Sequence, residues 1–425
     1  MTQRIAGIKG MNDILPNEIY AWHYVEDQLK SLANQFGFDE IRSPILEKTE
    51  LFKRSVGEQT DIVEKEMFSL SDSQGNSISM RPEGTACCVR SAIQNGLLRQ
   101  AIQKLWYMGP YFRHERPQKG RYRQFHQFGV EVFGSGSWAV EFELIAMCYQ
   151  LWQRLGIASE VQLQLNTIGT PDERQHYRQA LIEYFEQCFQ DLDDDSQTRL
   201  YSNPLRILDS KNEAMQPLIE QAPKLWDYLS SASQQHYLAL SNQLQQAGIQ
   251  FEFNPYLVRG LDYYTHTVFE WVTDHLGAQA TICAGGRYDH LVEQLGGDST
   301  PAVGLGLGLE RLILLLEHLN QLPDCAQRVD FYLIALGESA QQSLLIYAES
   351  LRNEFPSYRI VFQHRSGSLK KQLKKANQAQ ARVALIMGEQ ECHNNQITIK
   401  FLQTDHPQVT VAGKELIAYL KEVDV

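Results

Sequence analysis

The sequence predicts an α+β domain built on an antiparallel sheet, interrupted by a helical insertion and followed by a separate α/β domain. Three observations carry this expectation. Two apolar segments, 105–113 and 125–133, flank the turn-forming run Pro117-Gln118-Lys119-Gly120, which is the pattern of an antiparallel hairpin. Strand-like stretches at 161–166 and 250–256 enclose a polar, helical stretch at 172–248, so one sheet continues across an inserted module. From residue 329 onward strands and helices alternate, the mark of an α/β layer. The expected boundaries are 1–170 and 251–324 for the two parts of the core, 171–250 for the insertion and 325–425 for the last domain.

Taken in order, residues 17–36 set Ile19, Trp22, Val25, Leu29, Leu32 and Phe36 three or four apart, an amphipathic helix that Gly37 ends. Periodicity does not say whether that face meets a core or a second copy of the chain. The hairpin comes next. On its returning strand side chains alternate faces, so Phe125, Gln127, Gly129 and Glu131 share one face. A ring, an amide, a bare backbone and a carboxylate make a poor core and a good pocket floor. Later, AVGLGLGLERLILLL at 302–316 reads as a strand running into a buried helix. Gly304, Gly306 and Gly308 share one face of that strand and are expected to let a ligand approach the backbone. Arg311 then lies at the strand-to-helix junction, where a guanidinium can anchor phosphate, lie flat against a base or join a structural ion pair. A linker at 322–326 with Pro323 ends the core. Strands at 329–335, 359–363 and 383–387 and helices at 339–355 and 368–378 follow, with further strands and a last helix from Lys414.

At 425 residues and 43% hydrophobic composition the chain is long enough for more than one cored domain. No apolar run approaches the roughly 20 residues that span a bilayer, and no charged start leads into an apolar h-region, so the expectation is a cytoplasmic protein without membrane contact. Seven cysteines without a C-x-x-C pair, two of them adjacent at Cys87 and Cys88, read as reduced thiols. The net charge of −12 argues against a polyanionic partner until its distribution is considered. Between 355 and 388 there is no Asp or Glu, while Arg359, Arg365, Lys370, Lys371, Lys374, Lys375 and Arg382 are all basic. That island either holds phosphates at one surface or is a solvated helix face. A second island is the hairpin, where 97–130 carries seven Lys or Arg against Glu115 alone. Its arginines either pair with nearby acids or surround a polyphosphate. Joined to the polar strand face, they read as an ATP site beside an amine-recognition site.

Three ordered segments resemble the motifs of class II aminoacyl-tRNA synthetases: FGFDEIRSPILEKTELF at 36–52 with Pro44 (motif 1), the hairpin YFRHERPQKGRYRQFHQFGVEVF at 111–133 (motif 2) and Gly304 to Arg311 (motif 3). RGLDYYT at 259–265 and AGGRYD at 284–289 resemble the two signature peptides of the histidyl-tRNA synthetase family, bacterial type. The similarity runs from IKGMNDILP at 8–16 to the last domain. It implies a class II catalytic core, an inserted helical domain and a C-terminal anticodon-binding domain. It also implies a homodimer that joins L-histidine to tRNA(His) through a histidyl-adenylate, using ATP with Mg2+.

By that resemblance Arg113 and Arg259 contact the α-phosphate, and Arg259 also reaches the histidine carboxylate. Arg121 and Arg311 meet the outer phosphates and flank the base, Phe125 stacks on adenine, and magnesium lies near Glu115. Glu83, Thr85 and Gln127 match the α-amino contacts; Glu131 and Tyr264 match the groups holding the two ring nitrogens, with Tyr263 and Tyr288 shaping the wall. Arg116, Gln118 and Arg123 are candidates for the acceptor end of the tRNA, and Lys370, Lys371 and Lys374 for its anticodon side. A relative of the same fold, the regulatory subunit of ATP phosphoribosyltransferase, binds histidine without charging tRNA. Retention of the phosphate arginines and both signature peptides argues against that alternative.

Overall fold

The computed structural model describes residues 5–57, 60, 62–99, 102–208, 210, 212–257, 259–323, 329–364 and 367–423. Most of the linker expected at 322–326, the expected 324/325 boundary and Arg365 lie outside the described residues. The chain divides into two compact units, 1–14 with 21–322, and 15–20 with 323–425.

The first unit is organised by an eight-stranded sheet. Its order is Asp39–Glu40, Gln103–Phe112, Gln124–Phe133, Ala302–Gly308, Thr281–Arg287, Thr265–Val272, Gln162–Thr167 and Phe251–Phe253. The inner strands pair antiparallel, as the hairpin pattern requires. The sheet is thus antiparallel through its centre as expected, and both outer pairs are parallel. Each outer strand is joined to its partner by a long crossing connection rather than a turn, so the two run in the same sense. The strand expected over 250–256 is only Phe251–Phe253, since Pro255 cannot donate to a ladder.

Hydrophobic periodicity places the helices. Helix Ile19–Gln35 buries Trp22, Val25, Leu29 and Leu32, and Gly37 closes it at φ +73°. Helix Leu309–His318 buries Leu312, Ile313, Leu315 and Leu316, as its leucine run demands. The insertion has its own core of Tyr177, Leu181, Phe185, Leu200, Ile207 and Met215. Its two long helices, Pro171–Gln187 and Ser231–Gln246, start on side-chain caps from Thr170 and Ser230. Glu173 ties the two starts together by accepting from the backbone N–H of Thr170 and Ser230 and from the Ser233 hydroxyl.

The second unit holds a five-stranded sheet in the order Ile360–Phe362, Phe331–Ala335, Val383–Met387, Gln396–Phe401 and Val409–Ala412. The first two pairings are parallel and the last two antiparallel. Helices Glu338–Glu354 and Leu369–Gln378 complete the expected alternation.

One buried ion pair braces the core from inside. Arg287, 1% exposed, meets fully buried Glu141 through Nε at 2.8 Å and Nη2 at 2.6 Å, while His236 of the insertion reaches the same carboxylate at 2.7 Å. Burial pushes the Glu141 carboxyl up, but the hydrogen bonds from His236 and Arg287 outweigh it and bring the group to about 2. Without Glu141, buried Arg287 keeps Asp289 at 3.0 Å and the carbonyls of Ser135 and Ser137, but loses the carboxylate that meets it at two nitrogens and leaves much of its charge uncompensated. Glu141→Ala should therefore cost about 3–5 kcal/mol in denaturant unfolding. A loss below about 1 kcal/mol, the usual value of a surface pair, would contradict this reading.

Candidate active site

Seven of the expected residues line one cavity of about 290 Å³: Arg113, Glu115, Arg121, Phe125, Gln127, Arg259 and Arg311. The hairpin supplies the first five, the segment before strand Thr265–Val272 supplies Arg259, and the first turn of helix Leu309–His318 supplies Arg311. Arg113 donates from Nε to the Pro82 carbonyl at 2.9 Å, and its guanidinium lies 5.3 Å from the centre of the Phe125 ring. Arg121 pairs with buried Glu115, and Arg259 pairs with Glu270. Arg311 donates to the carbonyls of Gly120 at 3.2 Å and Thr281 at 2.7 Å.

So much positive charge in one cavity is electrostatically unfavourable without an anion. Burial, then Arg121 and Arg113, hold the Arg311 guanidinium below its ordinary value. Burial does the same to Arg113, against the pull of Glu66 and Glu83. A polyphosphate relieves both repulsions, and planar guanidinium groups match its oxygens.

Of the residues expected to hold the amino acid, Gln127 and Arg259 line this cavity, and Glu83, Thr85, Glu131, Tyr263, Tyr264 and Tyr288 are not on its lining. Glu131 has no solvent exposure and accepts hydrogen bonds from three hydroxyls: Thr85 at 2.8 Å, Tyr107 at 2.7 Å, and Tyr288. Burial, opposed by those bonds, leaves its carboxyl raised to about 8. Tyr263, Tyr264 and Tyr288 cluster beside it, with ring centres 4.7 to 6.4 Å apart. Arg174, on the first helix of the insertion, holds the Tyr264 carbonyl at 2.8 Å. Glu83 caps helix Thr85–Gln94 by accepting from the N–H groups of Thr85 at 2.7 Å and Ala86 at 2.8 Å. Gln127 Oε1 is buried with no partner among the described residues, an acceptor aimed at the junction between the two halves.

The glycines of 302–308 work in part differently from expectation. The register sets Gly304 opposite Glu131 and Gly306 opposite Gly129. A Cβ at Gly304 would fall on the Glu131 carboxylate, and one at Gly306 on the Gln127 amide. Two of the three glycines therefore make room for recognition side chains of the neighbouring strand. Gly306 and Gly308 both line the cavity, as expected, and at Gly308 an added Cβ would meet nothing within 4 Å.

The family model described as Histidyl-tRNA synthetase matches residues 10–312, and one described as Anticodon binding domain matches 330–423. The chain belongs to the histidyl-tRNA synthetase family. A histidine–tRNA ligase of Legionella pneumophila (strain Lens) is 52% identical over 422 residues, 99% of each chain. The crystal structure of apo S. aureus histidyl-tRNA synthetase superposes with a TM-score of 0.82 at 34% identity, over 98% of this chain and 100% of that one. A Bacillus halodurans protein titled as an ATP phosphoribosyltransferase regulatory subunit/histidyl-tRNA synthetase shares the fold, with a TM-score of 0.64 at 22% identity over 91% and 99% of the two chains. The fold is accordingly a class II catalytic domain followed by an anticodon-binding domain.

Within that frame the expected RNA-facing residues separate. Arg116 and Gln118 are exposed at the hairpin tip. Arg123 is held, Nε to the Glu115 carbonyl at 3.1 Å and N–H to the Gly10 carbonyl at 2.7 Å, so it fastens the hairpin to the N-terminal segment. Lys370, Lys371, Lys374 and Lys375 are exposed on helix Leu369–Gln378, whereas Gln372 and Ala376 of that helix are buried. Arg382 of the same island is committed to Asp330 at 3.4 Å.

Sequence reasoning missed Tyr107, Glu270 and the Glu141–Arg287 pair. Tyr107 had a signal, because the hairpin register places it opposite Gly129 and a Cβ there would fall on its ring. Glu270 had a fainter one, a lone acid inside the apolar strand THTVFEWV.

The raised Glu131 carboxyl has a measurable consequence. Its folded-state value of about 8 lies above the ordinary 4.5, so its contribution to stability is full below the ordinary value and is lost as pH rises through about 8. Melting of the ligand-free protein from pH 5 to 9 should show wild type losing stability relative to Glu131→Gln across that window. A difference between the two that does not change with pH would show that Glu131 is ionised throughout.

Proposed function

We propose that this protein is a histidine–tRNA ligase that forms histidyl-adenylate from L-histidine and ATP and then transfers the histidyl group to tRNA(His). The observation carrying this reading is the cavity that four arginines surround, ending at Gln127 against a buried carboxylate ringed by hydroxyls. In the first step a histidine carboxylate oxygen attacks the α-phosphorus in line and pyrophosphate leaves. Arg113 and Arg259 meet the charge on the α-phosphoryl oxygens, and Arg259 also orients the attacking carboxylate. Arg121 and Arg311 take the outer phosphates, and Phe125 supplies the stacking face for adenine. In the second step a hydroxyl of the terminal ribose attacks the adenylate carbonyl and AMP leaves.

The amino acid is selected by pairing. Glu131 and Tyr264 hold the two imidazole nitrogens, and Glu83, Thr85 and Gln127 take the ammonium group. A site of buried polar groups rejects side chains that leave them unpaired, by factors of about 10⁴ to 10⁵ in comparable enzymes. Magnesium would be held by Glu115 and Glu310, the carboxylates on the cavity lining, together with phosphate oxygens, and would neutralise charge on the triphosphate. The donor set suits a hard ion, although Glu115 has to exchange Arg121 for it. Arg116 and Gln118 face the acceptor end, and the lysines of helix Leu369–Gln378 face the anticodon side. A cytoplasmic homodimer completes the reading; among the described residues no helix is long and apolar enough to cross a membrane.

Histidine-dependent exchange of labelled pyrophosphate into ATP tests the activation step. Exchange should occur with histidine alone among the twenty amino acids. Arg259→Ala should lower it by about 10²- to 10³-fold, the loss seen when one transition-state donor is removed. Histidine binding without exchange would favour the regulatory reading instead. Gln118→Ala should slow transfer to tRNA in single-turnover assays and leave exchange unchanged; equal loss in both steps would remove Gln118 from the RNA side.

A further inference from the structure

We infer that Glu270 is a positioning residue that sets both Arg259 and Arg311 for the phosphates of ATP, so that one carboxylate outside the cavity fixes the geometry of the activation step. The inference deepens the ligase reading above and rests on it. Glu270 lies on strand Thr265–Val272 and is half-buried. One of its oxygens pairs with Arg259 Nη1, and the other accepts from the Thr281 hydroxyl at 2.8 Å. Thr281 opens the neighbouring strand, and its backbone carbonyl accepts from Arg311 Nη1 at 2.7 Å. A continuous chain, Arg259 to Glu270 to Thr281 to Arg311, therefore crosses two strands and ends on a guanidinium at each side of the cavity.

Three features separate this chain from an incidental ion pair. Arg259, Thr281 and Arg311 are on the cavity lining, whereas Glu270 is not, so it acts through the arginines. The register between the two strands shifts between Thr281 and Cys283, and irregularities of this kind re-aim side chains beside sites. Only an ionised carboxylate can accept at both oxygens while opposing a guanidinium charge. A neutral amide of the same shape could serve the Thr281 hydroxyl with its oxygen, but it would turn an N–H group toward Arg259. Arg259 also lies over the Tyr264 ring, 5.9 Å from its centre, but Glu270 is the carboxylate that pairs with it, so the ring and the anion together set its guanidinium.

The test is steady-state pyrophosphate exchange with the full-length protein and its Glu270→Gln, Glu270→Asp, Thr281→Val, Arg259→Ala and Arg259→Ala/Glu270→Gln variants, each checked for folding by thermal melting. Glu270→Gln should lower kcat by roughly 10- to 100-fold, the scale of a displacement of about 1 Å, with KM for histidine and ATP changed far less. Glu270→Asp, which keeps the charge, should recover part of the loss. The double variant should lose less than the two single losses multiplied together, because Glu270 acts in part through Arg259 and keeps only its effect on Arg311 when Arg259 is gone. A kcat within about twofold of wild type in folded Glu270→Gln, or additive losses in the double variant, would overturn the inference. Should Glu270→Gln fail to fold, Thr281→Val decides: a smaller fall in kcat supports the chain, and an unchanged kcat overturns it. Wild type without exchange, or Arg259→Ala as active as wild type, would overturn the ligase reading and this inference with it. Loss in Arg259→Ala but not in Glu270→Gln would overturn this inference alone.

Discussion

The structure depends on a carboxylate buried where no water reaches it. A carboxyl group in that position is tolerable only if its oxygens are satisfied, and three hydroxyls from three different elements converge to do so. Thr85 comes from the start of a helix, Tyr107 from the outgoing strand of the hairpin and Tyr288 from just beyond strand Thr281–Arg287. Each must arrive in register, and Gly304 must present no side chain where the carboxylate sits. Sheet pairing and the placement of this carboxyl are thus one constraint. A slip of one residue between strands Gln124–Phe133 and Ala302–Gly308 would bring Val303 or Leu305 to the place of Gly304.

The second half of the site follows from electrostatics of the opposite sign. Four arginines around one cavity repel one another, and the protein offsets this with anions set at the rim and behind it. Glu115 meets Arg121, and Glu270 meets Arg259. These pairs hold the guanidinium groups near their working positions while leaving the cluster favourable toward a polyphosphate. Gln127, whose buried oxygen has no protein partner among the described residues, lines the cavity between the arginines and the tyrosine-ringed carboxyl.

Much of this was legible in the order of residues. Alternation along 125–131 put ring, amide, glycine and acid on one face; the hairpin brings Phe125 and Gln127 of that face to the cavity lining and buries Glu131. The α/β alternation after 329 was equally plain, because each element carries its own period. Misreadings came where a partner strand decides. Gly304 resembled part of a ligand path until the register showed Glu131 filling the space beside it, whereas Gly306 and Gly308 do line the cavity. The two parallel edge pairings were invisible because strands of two and three residues carry no period. Tyr107 and Glu270 reach their partners across strand pairings and were not found. Arg123 looked like its neighbours in sequence, yet its bonds to Gly10 and Glu115 make it a fastener. The lysines of helix Leu369–Gln378 stood out because nothing acidic interrupts them, and they are exposed.

The most direct test of the central claim is a crystal structure with a non-hydrolysable sulfamoyl analogue of histidyl-adenylate. The imidazole should lie within hydrogen-bond reach of Glu131 and Tyr264, the ammonium group against Gln127, and the sulfamoyl oxygens against Arg113 and Arg259. An imidazole placed elsewhere, with Glu131 still bound only by Thr85, Tyr107 and Tyr288, would show that the buried carboxylate is a structural brace and that histidine is read by other residues.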